Sequence, residues 1–222
     1  MFPVAEILRV VLYAEGTRET GDTIALATAP GNPLPEERLG TGHVLLRRII
    51  VAEKGLKQKD IRFDAPLRKR RGVPARGSDL SHRSTLRQLL HWASPERQPH
   101  VTIVLVDADG ETQRKTMLEK WTEGVSVPHV IAVAVQEFEA WLIADLKTVE
   151  EMHGGAPEPV RTSEPERLEP LVAKRCLDAW LSAETDASSA RRCIAERCNL
   201  NTVARACSSF AALRRDIRAV HC

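Results

Sequence analysis

The sequence predicts an α/β protein with a mostly parallel sheet, helices on both of its faces and a helical C-terminal extension. Three observations carry that expectation. First, Ile7–Tyr13 (ILRVVLY), Val101–Val106 (VTIVLV) and Val130–Val135 (VIAVAV) are almost continuous apolar runs. Strands buried on both faces read this way, whereas strands with one wet face alternate. Second, helical periodicity and polar turns separate the runs, as crossover connections require. Third, acidic residues follow each run directly, at the strand ends where open parallel sheets bind their ligands. Residues 1–150 are expected to form the α/β domain, with a basic insertion near 67–87. Residues 151–222 are expected to form a linker and the helical extension.

In chain order, Ile7–Tyr13 is interrupted only by Arg9 and leads into the polar turn Ala14–Thr20. The Gly/Pro-rich stretch Ala29–Gly42 reads as a loop. Val44–Lys54 has helical spacing, and Gly55 is placed to cap it. A weaker strand is expected near Ile61–Ala65. Between Leu67 and Arg87 the chain carries Arg68, Lys69, Arg70, Arg71, Arg76, Arg83 and Arg87 against Asp79 alone. Such a stretch is either a solvated loop or a contact for a phosphate backbone, for which Arg68, Lys69, Arg70, Arg71 and Arg76 are the candidates. Helical periodicity resumes over Ser84–Trp92, and Glu111–Glu123 is the expected crossover helix before the last strand. His153–Pro170 reads as a linker or surface loop, and Glu169–Ala183 and Ser188–Val220 as helices. The arginines of that last stretch form a second basic surface, read as a solvated helical face.

Composition narrows the classes. With 43% apolar and 28% charged residues among 222, the chain is an ordinary globular one that can bury a substantial core. A formal charge of +2 makes no case for nucleic acid by itself. The five cysteines form no CxxC pair and read as reduced thiols, which fits a cytoplasmic location. No signal-peptide pattern begins the chain, and no apolar run approaches the roughly 20 residues that span a bilayer. Gly40-Thr41-Gly42 lacks the spacing and the Lys of a P-loop, HExxH and GxSxG are absent, and the seven histidines are scattered. Phe138 and Trp141 read as core rather than as platforms for bases.

The chemistry is concentrated in the carboxylates: Glu15 and Glu19 after the first run, Asp107 and Asp109 after the second, Glu137 and Glu139 after the third. If the strands are neighbours, these groups converge. In extended backbone Asp107 and Asp109 would point to one side, about 7 Å apart. Carboxylates gathered at a dry sheet end repel one another, so one takes up a proton at a raised pKa or a cation neutralises them. Mg²⁺ prefers such hard oxygen ligands and keeps waters for a phosphate. Read alone, Asp109-Gly110 is equally good turn chemistry.

The segments VLYAEGTRE (Val11–Glu19) and VLVDADG (Val104–Gly110) resemble the Toprim fold of topoisomerases, primases and overcoming-lysogenization-defect nucleases. EFEAWLIAD (Glu137–Asp145) resembles the DUF4276 family, small bacterial Toprim-like proteins often found near anti-phage defence genes. The resemblance covers about Ile7–Asp145, and the helices beyond Asp145 lie outside the shared Toprim fold. It implies a catalytic set of Glu15, Asp107 and Asp109, with Glu15 in acid–base or metal chemistry. It implies Mg²⁺, or Mn²⁺ in its place, held by Glu15, Glu19, Asp107, Asp109 and Glu139. The implied activity is cleavage of DNA or RNA in a defence context. The alternative is a non-catalytic sensor or adaptor beside a defence partner such as an ATPase. Tyr13, at the end of a buried strand, argues against a covalent topoisomerase-type reaction.

Overall fold

The computed structural model describes residues 7–21, 28–69, 72, 73, 75, 77–153, 164–184 and 186–221. Among these residues four strands form one sheet: β1 (Leu8–Ala14), β2 (Ile61–Phe63), β3 (Val101–Asp107) and β4 (His129–Ala134). Their order is β2-β1-β3-β4, and every pairing is parallel. The three strong apolar runs are therefore neighbours, and the weaker strand is the edge beside β1.

Continuous apolarity in these strands has the expected cause. Val10, Leu12, Ile103, Leu105, Val130 and Ala132 pack on one face of the sheet. Val11, Tyr13, Val104, Val106, Ile131 and Val133 pack on the other. The first face is covered by α2 (Thr41–Lys54), through Leu45 and Ile49, and by the C-terminal helices, through Phe210, Leu213 and Ile217. The second is covered by α4 (Arg83–Leu89), through Leu86 and Leu89, and by α5 (Arg114–Thr122), through Leu118. Two short helices, α1 (Thr17–Thr20) and α3 (Gly77–Leu80), lie at the carboxyl end of β1. Gly55 ends α2 in the left-handed conformation, φ 67°, the cap its sequence position implied.

After β4 come α6 (Glu139–Ile143), α7 (Leu146–His153), α8 (Val172–Trp180), α9 (Ala187–Arg197), α10 (Leu200–Ala206) and α11 (Ser208–Ala219). The stretch expected as one helix over Ser188–Val220 is thus three. Carboxylates from elsewhere in the chain hold its breaks. Asp145 accepts from the Asn199 N–H at 2.7 Å, and Asn199 in turn caps α10. Glu166 accepts from the Ser208 and Ser209 N–H groups at 2.7 and 3.1 Å, capping α11. Three of the arginines here, Arg191, Arg214 and Arg218, are tied into the fold by ion pairs, while Arg197 and Arg215 are exposed. Arg214 and Arg218 both reach the sunken Glu53 carboxylate of α2, and Arg191 pairs with Asp178. Burial alone would raise the Glu53 pKa, but Arg218 and Arg214 outweigh it and hold the carboxyl below its usual range.

Trp141 is buried between Phe138 and Phe210 in edge-on contacts and donates its indole N–H to Ser209 Oγ at 2.9 Å, so both aromatics are core. Tyr13 is likewise internal. Its hydroxyl donates to the Leu89 carbonyl and accepts from the Leu67 N–H, and burial raises its pKa well above the phenol range. Cys176, Cys193, Cys198 and Cys207 are free thiols. Among the described residues no helix is long and apolar enough to cross a membrane.

Candidate metal centre at the carboxyl end of the sheet

The parallel register carries β1, β3 and β4 to a common end. The Glu15 N–H extends the β1–β3 ladder to the Leu105 carbonyl at 3.1 Å, and the Ala108 N–H extends β3–β4 to the Ala134 carbonyl at 2.8 Å. Glu15 and Asp107 therefore sit on adjacent strand ends, and the Asp107 N–H donates to Glu15 Oε2 at 3.0 Å. The turn to α1 brings Glu19 beneath them. A Cβ on Gly16 would lie 2.0 Å from Glu19 Oε2, so the carboxylate folds back over a backbone that only glycine leaves open. Beyond β4, Gln136 takes a left-handed φ of 63° and the chain turns into α6, whose first residue, Glu139, is buried. Gly77 allows equally close approach from the basic segment, since a Cβ there would meet Glu15 Cγ at 2.4 Å.

These acids divide into two sets. Asp107 is largely buried, with one donor among the described residues, the Phe138 N–H at 2.8 Å. Burial first, then the charge of Glu139, and more weakly Glu19 and Glu15, push its pKa up to about 8 against the pull of that hydrogen bond. Glu19 and Glu139 are likewise buried, and their charges act on Asp107. Asp109 goes elsewhere. The expectation that it shares a side with Asp107 required extended backbone, but Asp109 is at φ 48° and Gly110 at φ 81°. The Glu111 N–H closes that turn onto the Ala108 carbonyl at 2.8 Å. Asp109 is consequently 62% exposed at its side chain and pairs with Arg114 at 2.9 Å.

Arg114 is the residue that reasoning from sequence missed. It is buried at the first position of α5. It donates to Asp109 Oδ2 at 2.9 Å, Ser81 Oγ at 2.9 Å, and the two Glu15 oxygens at 3.3 and 3.4 Å. A signal was available. A basic residue in a helix's first turn opposes the helix dipole and needs acidic partners, and Asp109 stands five residues upstream.

Glu137 turns away from the site and accepts the Leu171 and Lys174 N–H groups at 2.9 and 3.1 Å, capping α8. Asp145 serves Thr148 and Asn199, a structural role. Of the basic candidates, Arg68 donates to the Thr28 carbonyl at 2.8 Å and Lys69 pairs with Asp79 at 2.8 Å. Arg70, Arg71 and Arg76 lie outside the described residues.

The donor set is all carboxylate, the hard-oxygen chemistry that Mg²⁺ or Mn²⁺ accepts, and burial, followed by the neighbouring acids, raises the pKa of Asp107. Among the described residues no three such groups already stand in ligating arrangement.

The class defined by this fold and edge is a parallel α/β domain with a carboxylate-lined strand end. Its family is shown by comparison: the model described as a domain of unknown function, DUF4276, matches residues 43–218. The chain belongs to the DUF4276 family. The match takes in Asp107, Asp109, Arg114 and Glu139, begins after Glu15 and Glu19, and extends through nearly all of α11, so the family region includes the C-terminal helices. No curated protein and no solved structure matches the chain.

Proposed function

We propose that this protein is a Mg²⁺- or Mn²⁺-dependent phosphodiester-cleaving enzyme of Toprim-like architecture, acting on DNA or RNA. The observation that carries the reading is Asp107: a buried strand-end carboxylate whose pKa is pushed to about 8 by burial and by neighbouring acids. A natural protein keeps like charges together at such a cost chiefly where function uses them. Asp107, Glu19 and Glu139 would hold the ion, which when bound supplies charge for a phosphate oxygen and a water of lowered pKa. Glu15, oriented by the Asp107 N–H and a quarter exposed, faces solvent as the candidate proton acceptor or donor. Arg68 and Lys69, with Arg70, Arg71 and Arg76, are the proposed phosphate-backbone contacts. The Toprim likeness is supported by an all-parallel sheet with acidic residues beyond β1 and β3.

The test is cleavage of supercoiled plasmid and single-stranded RNA by purified protein with Mg²⁺ or Mn²⁺. Cleavage that disappears in Asp107→Ala supports the reading. Equal cleavage by the variant, or none by the wild type with either metal, overturns it.

A second reading, a non-catalytic sensor or adaptor in a defence complex, is favoured by one observation. Arg114 already occupies the space between Glu15 and Asp109.

A further inference from the structure

Between α5 and α11, beyond the carboxyl ends of β3 and β4, lies a cavity of about 450 Å³. None of Glu15, Glu19, Asp107, Asp109 and Glu139 lines it. Its volume is in the range that holds a small organic ligand, and open parallel sheets bind their ligands at this end. The walls are aliphatic, with Ala132 and Val133 from β4 and Ala212 and Leu213 from α11. Two cations, Lys115 and Arg215, stand around it against one acid, Glu111. Lys115 is paired with Asp216 at 2.5 Å. Arg215 is exposed and has no ion-pair partner among the described residues.

Gln136 is the polar group on this wall that the fold does not account for. Its φ of 63° is one that residues with a side chain seldom adopt, and the Glu137 N–H closes the turn onto the Val135 carbonyl at 2.9 Å. A three-residue turn with positive φ is the strained form. The Gln136 amide oxygen is buried and has no hydrogen-bond partner among the described residues. An unpaired buried acceptor is costly, and backbone strain clusters where function uses it. What the oxygen lacks is an N–H or O–H donor. A carboxamide presents an acceptor and donors side by side, which the amino group and adjacent ring nitrogen of adenine match. The flat faces of a purine suit aliphatic walls, and a phosphate on the same molecule suits the guanidinium fork of Arg215.

We propose that this cavity binds an adenine nucleotide. The base lies between β4 and α11 with its amino group donating to Gln136 Oε1, and the phosphate lies at Arg215. The nucleotide is either free or an unstacked residue of a single strand, since both present the same groups. The site is separate from the strand-end carboxylates and needs no metal ion, so it stands or falls apart from the phosphodiesterase reading.

The experiment uses the full chain without divalent ions. AMP, IMP and adenosine are titrated calorimetrically into wild type, Gln136→Met, Ala212→Phe and Arg215→Ala, with thermal unfolding run on each to establish that it is folded. Single-stranded oligoadenylate is titrated alongside to separate the two sources. IMP, which carries an oxygen in place of the amino group, is expected to bind roughly tenfold more weakly than AMP. Gln136→Met should lose roughly tenfold in AMP affinity and with it the preference over IMP. Ala212→Phe, which fills the cavity, should abolish binding. Arg215→Ala should weaken AMP roughly fivefold and leave adenosine unchanged. Oligoadenylate bound more tightly than AMP, and released by Gln136→Met, supports the site with a strand as its source. AMP bound as tightly as the strand supports it with the free nucleotide.

Failure of folded wild type to bind either AMP or oligoadenylate overturns the proposal. Binding left unchanged by both Gln136→Met and Ala212→Phe overturns it equally, and because these residues belong to different elements, misfolding of one variant leaves the other to decide. IMP bound as tightly as AMP overturns the assignment of adenine.

Discussion

Asp64 and Asp107 follow or end strands of the same sheet, both lie inside the protein, and they are treated in opposite ways. Asp64, wholly buried just past β2, is met by two arginines. Arg9 Nε and Arg62 Nε each donate to it at 2.8 Å, and Arg62 Nη2 adds a contact at 3.2 Å. Among the described residues Asp107 has one backbone donor, and three acidic neighbours act on it. The lesson is that a sunken carboxylate is not by itself a sign of chemistry. Asp64 is compensated within the fold and ties the first two strands together. Asp107 has no arginine partner among the described residues, and the buried Arg114 nearby is committed to Glu15 and Asp109.

The contrast is open to direct attack. The largest expected effect is on metal binding. Asp107→Asn should lower Mn²⁺ affinity roughly tenfold or more by calorimetry, while Asp64→Asn leaves it unchanged. Equal losses in the two variants would erase the distinction. Next is stability. Asp64→Asn strips two partly buried arginines of their shared partner and should cost about 2–4 kcal/mol in urea unfolding. A cost near zero would mean that the arginines find water instead.

A smaller and opposite change is expected for Asp107→Asn in metal-free protein. The folded-state pKa of Asp107 is about 8, above the ordinary value of 3.8. Between those pH values the folded chain holds a proton that the unfolded chain has released. Stability therefore falls as pH rises through that window, by up to about 1.4 kcal/mol per unit. Asparagine removes the dependence, so the variant should match wild type near pH 4. It should become the more stable of the two as pH rises toward 8, seen as a melting temperature several degrees above wild type. A wild-type melting curve flat across that range, and unmoved by the substitution, would show that Asp107 is not proton-loaded.

The smallest effect is expected at the surface. Replacing Arg68 and Lys69 together by Ala should reduce the slope of log affinity against log salt for nucleic acid, by about 0.7–0.9 for each phosphate no longer neutralised. An unchanged slope would assign these two residues to holding the loop, through Thr28 and Asp79, and nothing more.

Much of the fold was legible in the chain. The runs Ile7–Tyr13, Val101–Val106 and Val130–Val135 lack period-two alternation, and a strand buried on both faces has no reason to show it. Gly55 marked the end of α2 because only a residue at ease in the left-handed region ends a helix that way. The convergence of acids followed once the strands proved to be neighbours, since a parallel sheet sends every strand's carboxyl end to the same side. The C-terminal stretch was harder. Its periodicity runs through Cys198 and Cys207, and the breaks there are held by Asp145 and Glu166, 54 and 42 residues upstream of the backbone groups they receive. A local pattern carries no trace of such partners.

The sequence by itself determined which runs would be strands buried on both faces, and that acidic residues would stand just past each of them. These properties depend on side-chain polarity at fixed spacing and on the direction of the strands. Only the tertiary structure decided how each carboxylate is compensated. Asp109 leaves its neighbour because the backbone turns left-handed there, and Glu137 leaves because the start of α8 offers it two N–H donors. Arg114 enters because α5 begins within reach of Ser81 and both turns. Charge compensation is set by distances of a few ångströms between groups far apart in the chain, and burial strengthens each of those interactions.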